Sequence, residues 1–302
     1  MILTVTLNAA LDITYRVDRL TPHRTHRVSE VAGRPGGKGV NVAAVLTQLR
    51  EPAVATGLVG GATGEQLRAG LAAAGIPDGF VSITGGSRRT VTVVDDVDAT
   101  GFWEPGPAVT PAEWDAFLTR YRGLLRVSRV VVLAGSLPAG VPDDAYARLV
   151  TLAREATVPS IVDTSGPALR AALAAGPDVV KPNAAELAEA AGSDDVLGAA
   201  AVLRRAGAGA VVVSRGPDGL LASTVDGVYR AVPPGPVAGN PTGAGDAAVA
   251  ALARGLAAAA AWPAVLADAV ALSAAAVAAP HAGSVDEPTY DRLRHTVVAE
   301  KE

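Results

Sequence analysis

The sequence predicts a layered α/β fold: helices on both sides of a mostly parallel sheet, with a small second sheet beside it. Three observations lead there. Short apolar runs alternate with alanine-rich helical stretches along most of the chain. Runs such as Val130-Val-Val-Leu133 and Ala210-Val-Val-Val213 lack any polar alternate, as in strands buried on both faces. Residues 13–31 and 89–104 break the rhythm, alternating apolar and polar residues as strands with one wet face do.

Along the chain, apolar runs place strands at residues 2–7, 53–58, 129–133, 160–163, 179–180 and 210–214. Between them, helices are expected at 39–49, 64–74, 111–124, 143–153, 184–191 and 196–205. Strand–helix repeats of this kind close into a parallel sheet with right-handed crossovers. His26-Arg-Val-Ser-Glu-Val31 and Thr90-Val-Thr-Val-Val94 supply the alternating segments. They interrupt the main body at two separate places, so the expectation is one domain spanning residues 1–302 with a discontinuous β lid over its mouth. A pair of decorative hairpins is the plainer reading.

Bulk properties narrow the function. At 302 residues and 49% hydrophobic content the chain can bury a large core. Its formal net charge of −4, with no basic run, argues against nucleic acid as partner. A small anionic substrate remains open, because it needs only two or three well-placed cations. The sequence has no cysteine, which removes disulfides, thiolate metal sites and cysteine nucleophiles. Four scattered histidines show no metal-ligand spacing. Residues 255–279 are almost wholly apolar, but they are mostly alanine, contain Pro263 and carry Asp268. Two buried helices broken near Pro263 fit better than a membrane span. The N-terminus lacks a basic leader and reads as a first strand, so the expected location is the cytoplasm.

The strongest local signal is Asn240-Pro-Thr-Gly-Ala-Gly-Asp246, running into an alanine-rich helix. Gly243 and Gly245 let backbone N–H groups converge at a helix N-terminus, which binds anions through unpaired donors and the helix dipole. Asp246 in the first turn can take a proton from a hydroxyl that attacks a phosphoryl group, or it can simply cap the helix. A second glycine-rich turn, Gly36-Gly-Lys-Gly-Val-Asn41, also enters a helix. It is not a Walker A loop, since Ala32 and Gly39 stand where that pattern needs Gly and Ser or Thr. No GxGxxG follows the first strand, which weakens a dinucleotide-binding reading.

Six motifs occur in order: Asn8-Ala-Ala-Leu-Asp12, Pro35-Gly-Gly-Lys-Gly-Val-Asn-Val42, Ala134-Gly-Ser-Leu-Pro138, Asp163-Thr-Ser-Gly166, Lys181-Pro-Asn-Ala-Ala-Glu186 and Asn240-Pro-Thr-Gly-Ala-Gly-Asp246. Together they resemble the ribokinase-like (PfkB) carbohydrate kinases, in the 1-phosphofructokinase and tagatose-6-phosphate kinase branch, over essentially the whole chain.

That resemblance implies an ATP- and Mg²⁺-dependent kinase acting on a hydroxyl of a ketohexose phosphate: tagatose 6-phosphate, fructose 1-phosphate or fructose 6-phosphate. It implies Asp246 as catalytic base, with Gly243, Ala244 and Gly245 giving N–H groups to the transferring phosphoryl. Asp12, at the end of the first strand, Gly37, Lys38, Asn41, Arg88 and Ser136 would bind the sugar phosphate. For Arg88 and its neighbour Arg89 the register is open, and a solvated strand edge is the plain alternative; an arginine fork suits phosphate oxygens. Asn183, Ser214, Gly216, Gly219, Gly243 and Gly245 would serve the nucleotide, with adenine near residues 273–277. Ser214–Gly219 also reads as an ordinary turn. Glu186 would orient Mg²⁺, mostly through water, or else be a surface helix residue. A homodimer through the lid is expected.

Three departures matter. Trp103 stands before Glu-Pro-Gly-Pro107 where many 1-phosphofructokinases have Asn, which opens the identity of the sugar. Asn240-Pro241 is closer to the tagatose-6-phosphate kinase form, and Ala247 replaces a frequent Ser. Two other classes stay in view: a kinase of an unphosphorylated sugar or nucleoside, and a non-catalytic sugar-phosphate sensor.

Overall fold

The strands of the computed structural model, which describes residues 1–302, fall into two sheets. In chain order the elements are β1 (Ile2–Thr6), β2 (Ala10–Arg16), β3 (Glu30–Gly36), α1 (Lys38–Gln48), β4 (Ala53–Gly60), α2 (Gly61–Ala73), β5 (Val81–Ile83), β6 (Arg88–Val94), β7 (Ala99–Trp103) and α3 (Pro111–Leu125). The middle of the chain adds β8 (Val130–Ala134), α4 (Ala145–Glu155), β9 (Ser160–Asp163), α5 (Gly166–Ala174), β10 (Val179–Val180), α6 (Ala184–Ala191), α7 (Val196–Arg205) and β11 (Ala210–Ser214). The last part holds β12 (Leu220–Thr224), β13 (Gly227–Ala231), α8 (Ala244–Ala257), α9 (Trp262–Ala278), α10 (Glu287–Leu293) and β14 (Ala299–Lys301).

The large sheet has the order β14-β13-β12-β11-β10-β9-β8-β1-β4-β5. From β5 to β11 neighbouring strands are parallel, and β12, β13 and β14 are added antiparallel at one edge. Those three strands were not expected: each is short, β12 and β13 follow β11 with no α-helix between them, and β14 returns to the edge only after α10. The alternation within β8 shows why the strands are apolar throughout. Val130, Val132 and Ala134 face a core shared with α1, α8 and α9, while Val131 and Leu133 face a second core shared with α3, α4 and α7. A strand covered on both sides has no wet face to mark with polar residues.

Helix placement follows from local chemistry. Thr110 and Glu113 form a capping box at the start of α3, with Pro111 in the first turn. On its buried side Trp114, Phe117 and Tyr121 stack with centroids 5.5 and 6.0 Å apart, and burying each ring stabilises the layer by about 2 kcal/mol. The apolar stretch after Gly243 forms α8 and α9, with Pro263 in the first turn of α9. Small side chains let them approach closely: a Cβ on Gly255 would stand 2.6 Å from Val265. No helix is long and apolar enough to cross a membrane.

The small sheet has the order β3-β2-β6-β7, with β2 and β6 parallel and the outer pairs antiparallel. Its strands differ from the expected segments in two ways. Residues 26–29, read as part of a strand, lie outside β3, which starts at Glu30 and runs on to Gly36. Asp12 lies within β2 on this sheet instead of ending the first strand, which stops at Thr6. The chain leaves the main sheet after only five residues, a break with no apolar-pattern signature.

Candidate active site

The strand order reverses around β1: the chain continues to β4 on one side and later to β8 on the other. In open α/β sheets such a reversal leaves a crevice at the carboxyl ends of the strands. Here that crevice is a cavity of about 490 Å³, reached by Thr6 at the end of β1, Ser136 after β8, Thr164 after β9 and, from the small sheet, Arg88 and Thr90. The small sheet therefore roofs the carboxyl edge of the large one.

Beneath the cavity four charged groups meet. Nζ of Lys38, at the start of α1, donates to Oδ1 of Asp163 at 2.8 Å, and Nζ of Lys181 lies 3.3 Å from Oδ2 of the same carboxylate. Asp163 and Lys181 are almost wholly buried. Burial opposes the charge on Asp163, yet Lys181 and Lys38 outweigh it and hold its pKa below the usual carboxylate value. Burial likewise works against the Lys38 ammonium, but Asp163, Glu186 and Asp246 raise its pKa above the ordinary lysine value.

Asp246 occupies the first turn of α8 and is buried. Its Oδ2 accepts a 2.8 Å hydrogen bond from Nδ2 of Asn41 on α1. Its pKa is pushed up to about 7, chiefly by burial and then by the Asp163 charge, while Asn41, Lys38 and Lys181 pull the other way. A carboxyl that titrates near neutrality can accept a proton at physiological pH and hold it. Asp246 makes no side-chain cap, so the plain capping alternative does not describe it. Gly243 has φ 87° and packs on Ala282, where a Cβ would come within 2.8 Å. The amide of Ala244 is engaged with the Pro241 carbonyl at 3.1 Å, contrary to its expected role as an open donor. Gly243, Gly245 and Asp246 keep amides that donate to no group of the chain.

The lid side carries Asp12 and Arg88. Oγ1 of Thr90 donates to Oδ1 of Asp12 at 2.5 Å, and burial, partly offset by Thr90 and Arg88, raises the Asp12 pKa. Gly36 lies against the Asp12 carboxylate with no room for a Cβ. The two neighbouring arginines have different surroundings. Arg88 lines the cavity and donates Nε to the Asn8 carbonyl at 3.1 Å and Nη1 to the Glu104 carbonyl at 3.2 Å. Arg89 points away and pairs with the Glu104 carboxylate at 2.9 Å. Ser136 accepts from Nδ2 of Asn8 at 3.1 Å.

At the other end, Asn183 and Glu186 form a capping box on α6. That box uses Oε2 of Glu186; Oε1 faces Lys38 at 4.0 Å. Asn183 and Ser214 sit side by side in an isolated bridge at the ends of β10 and β11. Gly216 and Gly219, both at positive φ, flank a tight turn into β12. The structure thus brings Lys38, Asn41, Glu186 and Asp246 around one centre, with Asp12, Arg88 and Ser136 toward the lid and Asn183 and Ser214 beyond. Sequence reasoning assigned no role to Asp163, Lys181, Asn8 or Thr90. Asp163 ends the buried strand β9 and Lys181 directly follows the buried strand β10, and a charge there was the available signal.

A buried acid of raised pKa beside open helix amides, next to a cation-lined cleft, is an arrangement that suits phosphoryl transfer. The model for the pfkB family carbohydrate kinases matches residues 5–289. The chain belongs to that family and is an ATP-dependent phosphotransferase. It is similar to the tetrameric inhibited form of phosphofructokinase-2 from Escherichia coli, with 31% identity, 97% of this chain and 98% of the other covered and a TM-score of 0.91. The same enzyme solved in complex with fructose-6-phosphate matches at 33% identity and a TM-score of 0.88, with 97% and 98% covered. A possible 1-phosphofructokinase from Thermotoga maritima matches at 29% identity and a TM-score of 0.88, covering 100% and 99%.

Proposed function

We propose that this kinase phosphorylates a hydroxyl of a ketohexose phosphate (tagatose 6-phosphate, fructose 1-phosphate or fructose 6-phosphate) to give the bisphosphate. One observation carries the reading. A single cavity is lined by two cations of different origin, Lys38 from α1 and Arg88 from the lid. Lys38 lies at the Asp246 end and suits the phosphoryl group in transit. Arg88 lies at the lid end, where a second anion, a phosphate already on the acceptor, would meet its guanidinium. The fructose-6-phosphate complex of the E. coli relative supports an acceptor of this class.

In this reading Asp246 takes the hydroxyl proton as the oxygen attacks the γ-phosphorus of ATP, and Asn41 aims its carboxylate. The open amides of Gly243, Gly245 and Asp246 receive the charge on the phosphoryl oxygens. Asp12, held by Thr90, orients the sugar hydroxyls. Asn183, Ser214, Gly216 and Gly219 flank the nucleotide. The residues fit Mg²⁺ carried in with ATP: Glu186 keeps one carboxylate oxygen outside its capping box, and Mg²⁺ needs few protein oxygens. Bound there, the ion supplies neutralisation of phosphate charge. Homodimer formation through the lid is supported by its outer face, where Ile13, Val91 and Phe102 align in register and Phe102 is 57% exposed. ADP release measured across the three sugar phosphates, fructose, ribose and a nucleoside tests the assignment. Turnover confined to phosphorylated ketohexoses is expected. Preference for an unphosphorylated acceptor, or no turnover at all, overturns it.

A further inference from the structure

Taking the sugar-phosphate reading above as its footing, we propose that Trp103 is a substrate-contacting specificity residue whose indole forms the lid-side wall against the carbon face of the bound ketohexose. Trp103 ends β7 and lies directly opposite Thr90, which lies opposite Asp12. Residues in such a row share one face of a sheet. That face is the cavity side, since Thr90, Trp103 and, two residues along β6, Arg88 all line the cavity.

The indole is otherwise without a purpose in the chain. It is 78% exposed, stacks on no other ring and donates its Nε1–H to nothing. A Cβ on Gly101 would stand 3.4 Å from Nε1, so the ring leans back along the strand over a residue with no side chain. An exposed large aromatic on a cavity rim is the informative kind of surface residue. Most of the other walls are polar, Thr6, Asn8, Ser136 and Thr164 among them, with Leu137, Pro167 and Ala168 as further apolar residues. A furanose ring has hydroxyl edges and C–H faces. Polar walls satisfy the edges, and the indole covers a face. Fructose and tagatose differ in the face that carries the 4-hydroxyl, so an aromatic wall discriminates between them.

The test pairs kinetics with fluorescence. Trp103→Ala, Trp103→Phe and wild type are assayed with each sugar phosphate, titrated without ATP by tryptophan emission, and sized by sedimentation. The expected result for Trp103→Ala is a KM for the preferred sugar phosphate raised roughly ten-fold. Its kcat stays within about two-fold, the preference between fructose and tagatose phosphates narrows, and the emission change on sugar binding disappears. Trp103→Phe restores most of the KM. An unchanged KM with an unchanged emission response overturns the inference, as does a change in oligomer size with KM intact. The parent reading fails separately, through wild type turning over no phosphorylated ketohexose, and takes this inference with it.

Discussion

Asn41 and Asp246, 205 residues apart in sequence, are joined by a 2.8 Å hydrogen bond between buried groups at the N-terminal ends of α1 and α8. Two glycine-rich turns deliver them: Gly37 precedes α1 and Gly243 precedes α8. An amide donor stabilises a carboxylate and not its acid, so Asn41 keeps Asp246 usable as a base against the burial that favours its proton.

The pH dependence follows. With the Asp246 pKa at about 7, kcat/KM should rise with pH through neutrality along a one-proton limb. Replacing Asn41 by Ala removes a contact that lowers this pKa, so the acid limb should move to higher pH. A pH–rate profile of both proteins checks it; an unmoved limb would separate Asn41 from the base.

Asp246→Asn should lower kcat by about 10²- to 10⁴-fold, the usual worth of a positioned general base. It should also stabilise the fold in alkaline solution. Because the native pKa is raised from 3.8 to about 7, the native state holds this proton more tightly than the unfolded chain does. The associated stability is complete below about pH 4 and is lost as pH rises through 7. Asparagine carries no such penalty, so at pH 8 the variant should gain up to roughly 4 kcal/mol over wild type relative to their difference at pH 3.5. Denaturant melts at the two pH values measure it.

Much of the main sheet and the lid strand β6 were legible in the sequence because burial writes itself as pattern: no polar alternate in β8, Thr–Val alternation over residues 90–93 in β6. The added strands β12 to β14 were not, since a hairpin pair and a three-residue outermost strand resemble neither. In the site, Asp246 and Lys38 were visible because glycines flag their turns. The ion pairs of Asp163 were hidden for a different reason. Lys38, Asp163 and Lys181 belong to three separate elements, and only the strand order sets β9 beside β10 under the start of α1. The Ala244 amide shows the remaining limit: a motif names the turn but not which of its N–H groups the turn itself consumes.

Neighbouring arginines should behave oppositely. Arg88 lines the cavity, whereas Arg89 is surface-exposed against Glu104. Arg88→Ala should raise KM for a ketohexose phosphate by about 30- to 100-fold, the worth of a charge-assisted bidentate contact of 2–3 kcal/mol. Arg88→Lys should recover only part of it, because an ammonium lacks the planar fork. Arg89→Ala should stay within about three-fold, as exposed ion pairs contribute little. Steady-state kinetics on the three variants decides whether the lid arginine reads phosphate.

Asp163 offers a stability test independent of turnover. Its carboxylate receives Lys181, whose side chain is only 4% exposed, and Lys38. Asp163→Asn leaves the Lys181 ammonium in the interior facing an amide, and unpairing a buried ion typically costs about 3–5 kcal/mol. Lys181→Met alone leaves Asp163 with Lys38 and should cost less. Combining the two changes removes both partners of the buried pair, so the double variant should be more stable than the sum of the single losses predicts, by about 1–3 kcal/mol. A double-mutant cycle in urea at pH 7 measures that coupling. The same Asp163→Asn protein should show its acid limb at lower pH, because the Asp163 charge is one cause of the raised Asp246 pKa. Additive stabilities with an unmoved limb would mean that the three charges act independently, and the electrostatic account of the base would fail with them.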